Sequence, residues 1–457
     1  MIAKKEDTKT TNAQVNEFKI KAKNVLEQND RGTFTVPNSE LYPHQWLWDS
    51  CFIAIGLASY DVHRAQVEIK SLLRGQWSNG MMPSIILRKN RRSDEPTYDR
   101  HDRIWRSWLN PSSPHDLATS GITQPPMLAE AITRIGAKLN KDECRLWYKQ
   151  VYPGLVRYHK WLYQERDPHK EGLVLLIHPW ETGLDNTPPW MNELHDHLLP
   201  SWIRVIRSLK LDTVFGWFRS DKRFVSQNER LNNVEALAFY SVQRRLRRKN
   251  YDFERIIDHS MFAIEDLTFN SILIRANRLL KDIAAYIDEK LDEELLESMS
   301  KAENQLAKLW DEYATEYFSR DFISHRLLKE SSVAAFMPLY SGAISRERAN
   351  RIIESLTNEH RFGSPYPVPS APLDSAWFSQ RNYWQGPTWV NTNWLVIDGL
   401  TRYGFNDLAD SLRNKTIKMI NKSGFYEYFN PINSEGLGAD KFSWTAALYL
   451  DLINNKD

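Results

Sequence analysis

The chain has 457 residues, 42% hydrophobic and 26% charged, the composition of an ordinary globular protein of one large domain or two to three average ones. A formal net charge of +2 gives no electrostatic case for nucleic acid or an anionic membrane, and no apolar run is long enough to cross a bilayer. Only Cys51 and Cys144 occur, which excludes a disulfide framework; with a polar N-terminus lacking an apolar core, the expected compartment is the reducing cytoplasm.

Residues 1–12 read as a flexible N-terminal tail and 13–457 as one folded domain. Asn12 to Gln28 is amphipathic, with Val15, Phe18, Ala22, Val25 and Leu26 on one side. Leu47–Ser59 is apolar almost all round and so is expected to be buried; a short turn leads to the helix Ala65–Arg74. The connection Gly75–Gly121 shows almost no periodicity, and within it 82–106 is a candidate lid. Helices are expected at Gln124–Ile135, Lys141–Glu165, Glu193–Leu209, Leu231–Lys249, Arg255–Glu289 with a break, and Asp292–Leu309. Further helices are expected at Glu330–Tyr340, Ser345–Leu356, Thr388–Arg402, Asn406–Asn421 and Lys441–Asn454. The basic run Arg244–Lys249 ends one of these and reads as a solvated face.

No alternation of strands supports a parallel sheet, so the class is all-α. Long and short connections alternate, as hairpins of helices arranged in a ring require. The expected fold is a single (α/α)6 barrel with its long loops gathered on one face. No repeat of 20–50 residues argues for an open solenoid.

Those long loops hold most of the unusual composition, including many of the 17 Trp. His178–Trp190, reading HPWETGLDNTPPW, sets Glu181 and Asp185 between Trp180 and Trp190, with Gly183 and two prolines fixing the backbone. Taken alone it is also a plausible capping turn, and the two carboxylates have equal claims. Asp49 follows Trp46 and Trp48 at a helix start, where a helix dipole would favour it in any case. Gln124 has no capping role to explain it. Residues 379–391, SQRNYWQGPTWVN, combine amides and aromatics in a pattern suited to the apolar faces and hydroxyls of sugars. Glu427 lies between Tyr426 and Tyr428; the bland alternative is a buried carboxylate paired to an arginine.

Two well-separated carboxylates without a redox or phosphate motif are the minimum kit for glycoside hydrolysis. GxGxxG, P-loop, HExxH and GxSxG patterns are absent, and His101, His115 and Asp116 lack metal-ligand spacing, so no cofactor and no metal are expected. Two other classes compete: a non-hydrolytic carbohydrate-binding protein, and a sugar isomerase or epimerase on a related barrel. The latter typically uses histidines, and of these only His44 and His178 fall in the loop motifs.

Taken in order, PHQWLWDS, QWSNGMMP, SGITQPP, ETGLDNTPPW, RNYWQGPTWVN and FYEYFNPINSEGLGADKFSWTAAL resemble glycoside hydrolase family 63, in its compact bacterial branch of mannosylglycerate and glucosylglycerate hydrolases. The resemblance implies an inverting α-glycosidase acting on a small α-glucoside or α-mannoside, a glycosylglycerate or an α-linked disaccharide. It implies Asp185 as general acid, Glu427 as general base and Asp49 as the carboxylate holding the sugar. Tyr42, Trp46, Trp48, Gln124, Tyr383, Trp384, Gly386 and Trp389 are implied as pocket lining. Where glycerate-specific members carry Arg-Pro-Thr-Asp, this chain reads Arg223 to Arg230, leaving Arg219, Arg223 or Arg230 to meet an aglycone carboxylate. A small carbohydrate is the expected partner, and a homo-oligomer is open.

Overall fold

Leu47–Leu57 is buried at every position, so it needs apolar neighbours all round. It finds them in a ring. The computed structural model describes residues 12–87, 104–193, 229–258, 260 and 262–454. Among these, six helices pack side by side in chain order: Leu47–Leu57, Leu128–Gly136, Leu267–Tyr286, Met337–Ser341, Val390–Arg402 and Ser443–Asn454. The sixth closes on the first. At that seam a Cβ on Gly56 would lie 2.4 Å from the backbone of Ala447, so glycine lets the two helices touch.

Val62–Arg74, Lys141–Arg166, Glu293–Gln305, Arg346–Thr357 and Asn406–Ser423 each follow an inner helix after a short turn, and Asn12–Asn29 packs outside Ser443–Asn454. The architecture is an (α/α)6 toroid. Each inner helix is entered from a long connection and left by a short one. All six inner N-termini therefore share one face with the long loops, which is what the alternation of connections requires.

Inside the ring, Glu130 binds Arg134 and Arg275 and accepts from the Tyr340 hydroxyl at 3.0 Å, and Arg134 reaches on to Asp398 at 2.8 Å. Four inner helices are stitched by this network. Side-chain caps fix where helices begin: Asn140 with Glu143 and Asn232 with Glu235 form capping boxes, and Asp266 accepts from Phe269 N at 2.7 Å.

Several expected boundaries move for local reasons. The helix foreseen from Gln124 starts at Leu128, because Pro125 and Pro126 lack the N–H groups of a helix interior. Glu330–Tyr340 shrinks to a 3-10 turn Val333–Phe336 and the short Met337–Ser341. Thr388 joins a bridge to Phe429, and the helix starts at Val390. The connection after Gly75 is not featureless: Ile85–Leu87 pairs with Gln45–Trp46 and Ala118–Thr119 in a small antiparallel sheet, which ties two long loops together. Residues 1–11 of the expected tail, 88–103 of the candidate lid, most of the helix expected at Glu193–Leu209, and Arg219 and Arg223 lie outside the described residues.

Candidate active site

The loop from His178 to Trp190 is set by its own sequence. The 3-10 turn Pro179–Thr182 opens on a proline and is capped by His178, whose Nδ1 accepts from Trp180 N at 3.0 Å. Gly183 follows with φ 74°, and a Cβ there would meet the Trp48 ring at 2.5 Å, so a glycine is required on both counts. The two carboxylates then part company. Glu181 is fully buried and accepts from both Arg166 terminal nitrogens at 2.9 and 3.0 Å, from Ile177 N at 2.8 Å and from Thr123 N at 3.2 Å. It anchors the loop. Asp185 is partly exposed, and its backbone carbonyl is held by Trp190 Nε1 at 2.9 Å.

Glu427 comes from another loop, just before the strand Tyr428–Phe429, which pairs with Gly436–Leu437. Its Oε1 accepts from the Tyr42 hydroxyl at 2.9 Å; its Oε2 accepts from Arg230 Nη2 at 2.5 Å and Ala439 N at 3.1 Å. The bland alternative, a buried acid paired to an arginine, is thus present in the geometry. The guanidinium also lies 5.4 Å from the Tyr42 ring centroid and 4.6 Å from that of Tyr383. Arg230 is placed by its neighbour: Glu229 accepts from Arg381 at 2.7 Å and from Gly438 N at 3.1 Å. Tyr383 holds φ 43°, left-handed backbone that a bulky residue rarely adopts outside functional sites.

Three carboxyls feel one another here. Burial raises Asp185 to about 7 against the pull of Arg230, and the Glu427 charge adds to the rise. Burial also lifts Glu427 above the ordinary carboxylate range, opposed by Arg230, Ala439 N–H and the Tyr42 hydroxyl. Asp49, in the first turn of the inner helix Leu47–Leu57, is pushed well up by burial, with Glu427 and Asp185 contributing. Burial raises both, and their partners differ: Asp185 reaches about 7, while Glu427 has three donors arranged around its charge.

The remaining expected residues fall into two layers. Tyr42, Trp46 and Tyr383 are partly exposed beside the carboxyls, with Tyr42 edge-on to Trp46 at 5.6 Å. Gln124 is buried, its Oε1 3.5 Å from Trp48 N. Trp384 and Trp389 are 1% and 0% exposed and stack on each other at 3.7 Å, with Tyr428 and Trp444 packed on Trp389. Trp48 is buried beside them, as Asp49 and Glu427 are. Gly386 sits where a Cβ would strike the Ser379 carbonyl at 2.0 Å, so it shapes the turn. Asn186 locks the acid loop to this wall, accepting from Trp384 N at 2.9 Å through its side chain and from Gln385 Nε2 at 3.0 Å through its carbonyl.

Sequence reasoning missed Arg230 as the partner of Glu427, and Glu229 and Arg381 as its supports. No local signal marks a pair separated by 197 residues. His178 and His159 are fully buried and pushed down by burial to about 3 and about 4, so both stay neutral. Among the described residues, no group of three or more His, Cys, Asp or Glu is arranged to hold a metal, and no helix is long and apolar enough to cross a membrane.

Three mutually perturbing carboxyls beside aromatic side chains, on the long-loop face of an (α/α)6 toroid, suit a site of the glycoside hydrolase class. Residues 42–445 match the family model described as the mannosylglycerate hydrolase MGH1-like glycoside hydrolase domain. The chain is 36% identical over 446 residues to the mannosylglycerate hydrolase of Rubrobacter radiotolerans, covering 96% of this chain and 97% of that one. It is 30% identical over 442 residues to the glucosylglycerate hydrolase of Mycolicibacterium hassiacum, covering 94% and 96%. The crystal structure of the glycoside hydrolase family 63 mannosylglycerate hydrolase from Thermus thermophilus, in complex with Tris and D-glycerate, superposes with a TM-score of 0.84 at 35% identity, covering 96% of this chain and 100% of that one. This chain therefore belongs to glycoside hydrolase family 63 and is a glycosidase of small α-glycosides.

Proposed function

We propose that the enzyme hydrolyses an α-mannosyl or α-glucosyl glycerate with inversion, Asp185 acting as general acid and Glu427 as general base. Asp185 donates its proton to the glycosidic oxygen as the bond from C1 breaks. A water on the opposite face attacks C1 and yields a proton to Glu427. The products are the free β-anomer and the acid-bearing alcohol; solvent exchange returns the proton. Asp49 takes sugar hydroxyls from the inner helix start, with Tyr42, Trp46 and Tyr383 as surface and Gln124, Trp48, Trp384, Gly386 and Trp389 as the frame behind it.

The observation that carries this reading is the unlike surroundings of the two carboxyls: burial raises Asp185 to about 7, and Glu427 is ringed by Arg230, Tyr42 and Ala439 N–H. The glycerate aglycone is supported by the names of the relatives and by one cation, Arg230, beside the base. Cys51 and Cys144, both buried and unpaired, fit a reducing cytoplasm. The test is a panel of mannosylglycerate, glucosylglycerate and α-linked disaccharides with NMR of the first-formed anomer. Release of the β-anomer from a glycerate glycoside is expected; first release of the α-anomer defeats the assignment of Glu427 as a base.

A further inference from the structure

A carboxylate offers about four acceptor positions, and Glu427 has three filled: Tyr42 on Oε1, Arg230 and Ala439 N–H on Oε2. A guanidinium against the base stabilises the charge that must be surrendered when the water proton arrives, so the ion pair weakens the base. Arg230 is itself incompletely used. It meets Glu427 through a single nitrogen at 2.5 Å, and its Nε–H is buried without a hydrogen-bond partner. Arg166 shows that this fold builds the two-pronged alternative where the pair only holds structure together, with both terminal nitrogens on Glu181. Arg230 lies over the rings of Tyr42 and Tyr383.

We propose that Arg230 reads the charge of the leaving group and sets the base accordingly. A carboxylate on the aglycone takes the fork, including the unfilled Nε–H, and Glu427 Oε2 is released from its ion pair. The base reaches full strength only with an anionic substrate in place. No covalent bond changes in this exchange; one ion pair replaces another, and the water proton then goes to Glu427 as in hydrolysis. The inference rests on the glycosidase reading and goes beyond grip: substrate charge acts on turnover as well as on binding.

The test compares an α-glycosyl glycerate, the matching α-glycosyl glycerol in which CH2OH replaces the carboxylate, and a 4-nitrophenyl α-glycoside. Wild type, Arg230→Gln and Arg230→Lys are assayed as the full chain. In wild type, kcat for the glycerate glycoside is expected to exceed that for the glycerol glycoside by about tenfold or more, and Arg230→Gln to bring the two kcat values within about twofold. Arg230→Lys keeps the charge without the fork and is expected to retain part of the ratio, which separates charge reading from a folding defect. Equal kcat in wild type with the difference confined to KM overturns the proposal, as does an equal drop on both substrates in Arg230→Gln. If wild type cleaves none of the three, including the 4-nitrophenyl glycoside, the glycosidase reading falls with it.

Discussion

Glu181 and Glu427, both from the long loops, are each buried against an arginine, and the two pairs are finished differently. Glu181 is closed on all sides: two prongs of Arg166 and two backbone N–H groups leave no position for a further partner. Glu427 has one prong of Arg230, one hydroxyl and one N–H, and its arginine keeps an unused donor. A saturated pair spends its interactions on holding the loop. An unsaturated pair, set beside partly exposed Tyr42 and Asp185, keeps capacity for something that arrives. Burial and charge alone do not separate the two glutamates. Completeness of the hydrogen bonding does.

The comparison can be broken most directly at the carboxyls proposed to react. Asp185→Asn and Glu427→Gln are each expected to lower kcat on an unactivated glycoside by about 10²–10⁴-fold while sugar binding by calorimetry persists. Glu181→Gln is expected to act on the fold: leaving Arg166 buried and unpaired costs about 3–5 kcal/mol, read by urea denaturation. A stable Glu181→Gln enzyme with lost turnover would reverse the roles assigned to the two pairs.

Smaller effects sharpen the same contrast. Tyr42→Phe removes a donor to a charged oxygen, and kcat is expected to fall by about 10- to 100-fold with the melting temperature little changed. The rate should also fall as pH rises through about 7, because Asp185, raised to about 7, then loses the proton it donates. The stability sign follows from the same shift. The folded value lies above the ordinary 3.8, so ionising Asp185 costs the fold increasingly between that value and about 7. Asp185→Asn should therefore raise the melting temperature more at pH 8 than at pH 4. Arg381→Gln, breaking a half-exposed link to Glu229, is expected to lower kcat by no more than about fivefold.

Much of the fold was legible. The all-round apolarity of Leu47–Ser59 marked a buried helix, and the alternation of long and short connections pointed to the ring. Where boundaries slipped, short-range features had competed: two prolines ahead of Leu128, and a bridge between Thr388 and Phe429 that pulled the chain out of a helix. The candidate site was legible as composition. Asp49, Asp185 and Glu427, expected from separate loops, come close enough to perturb one another. Trp384 and Trp389, expected as lining, are as buried as Glu427, and aromatic composition did not reveal that the two rings stack on each other.

The sequence by itself determined what local physics governs: helical periodicity, the capping boxes at Asn140 and Asn232, the turn at Gly183, and which loops carry carboxylates and aromatics. Tertiary structure alone decided which acid is paired to what. Glu181 meets Arg166 only 15 residues away, yet Glu427 takes Arg230 from 197 residues away and Tyr42 from 385. Such contacts leave no periodic or spacing signal along the chain. They arise when the ring closes and its long loops converge on one face, and they separate the glutamate that holds a loop from the one proposed to accept a proton.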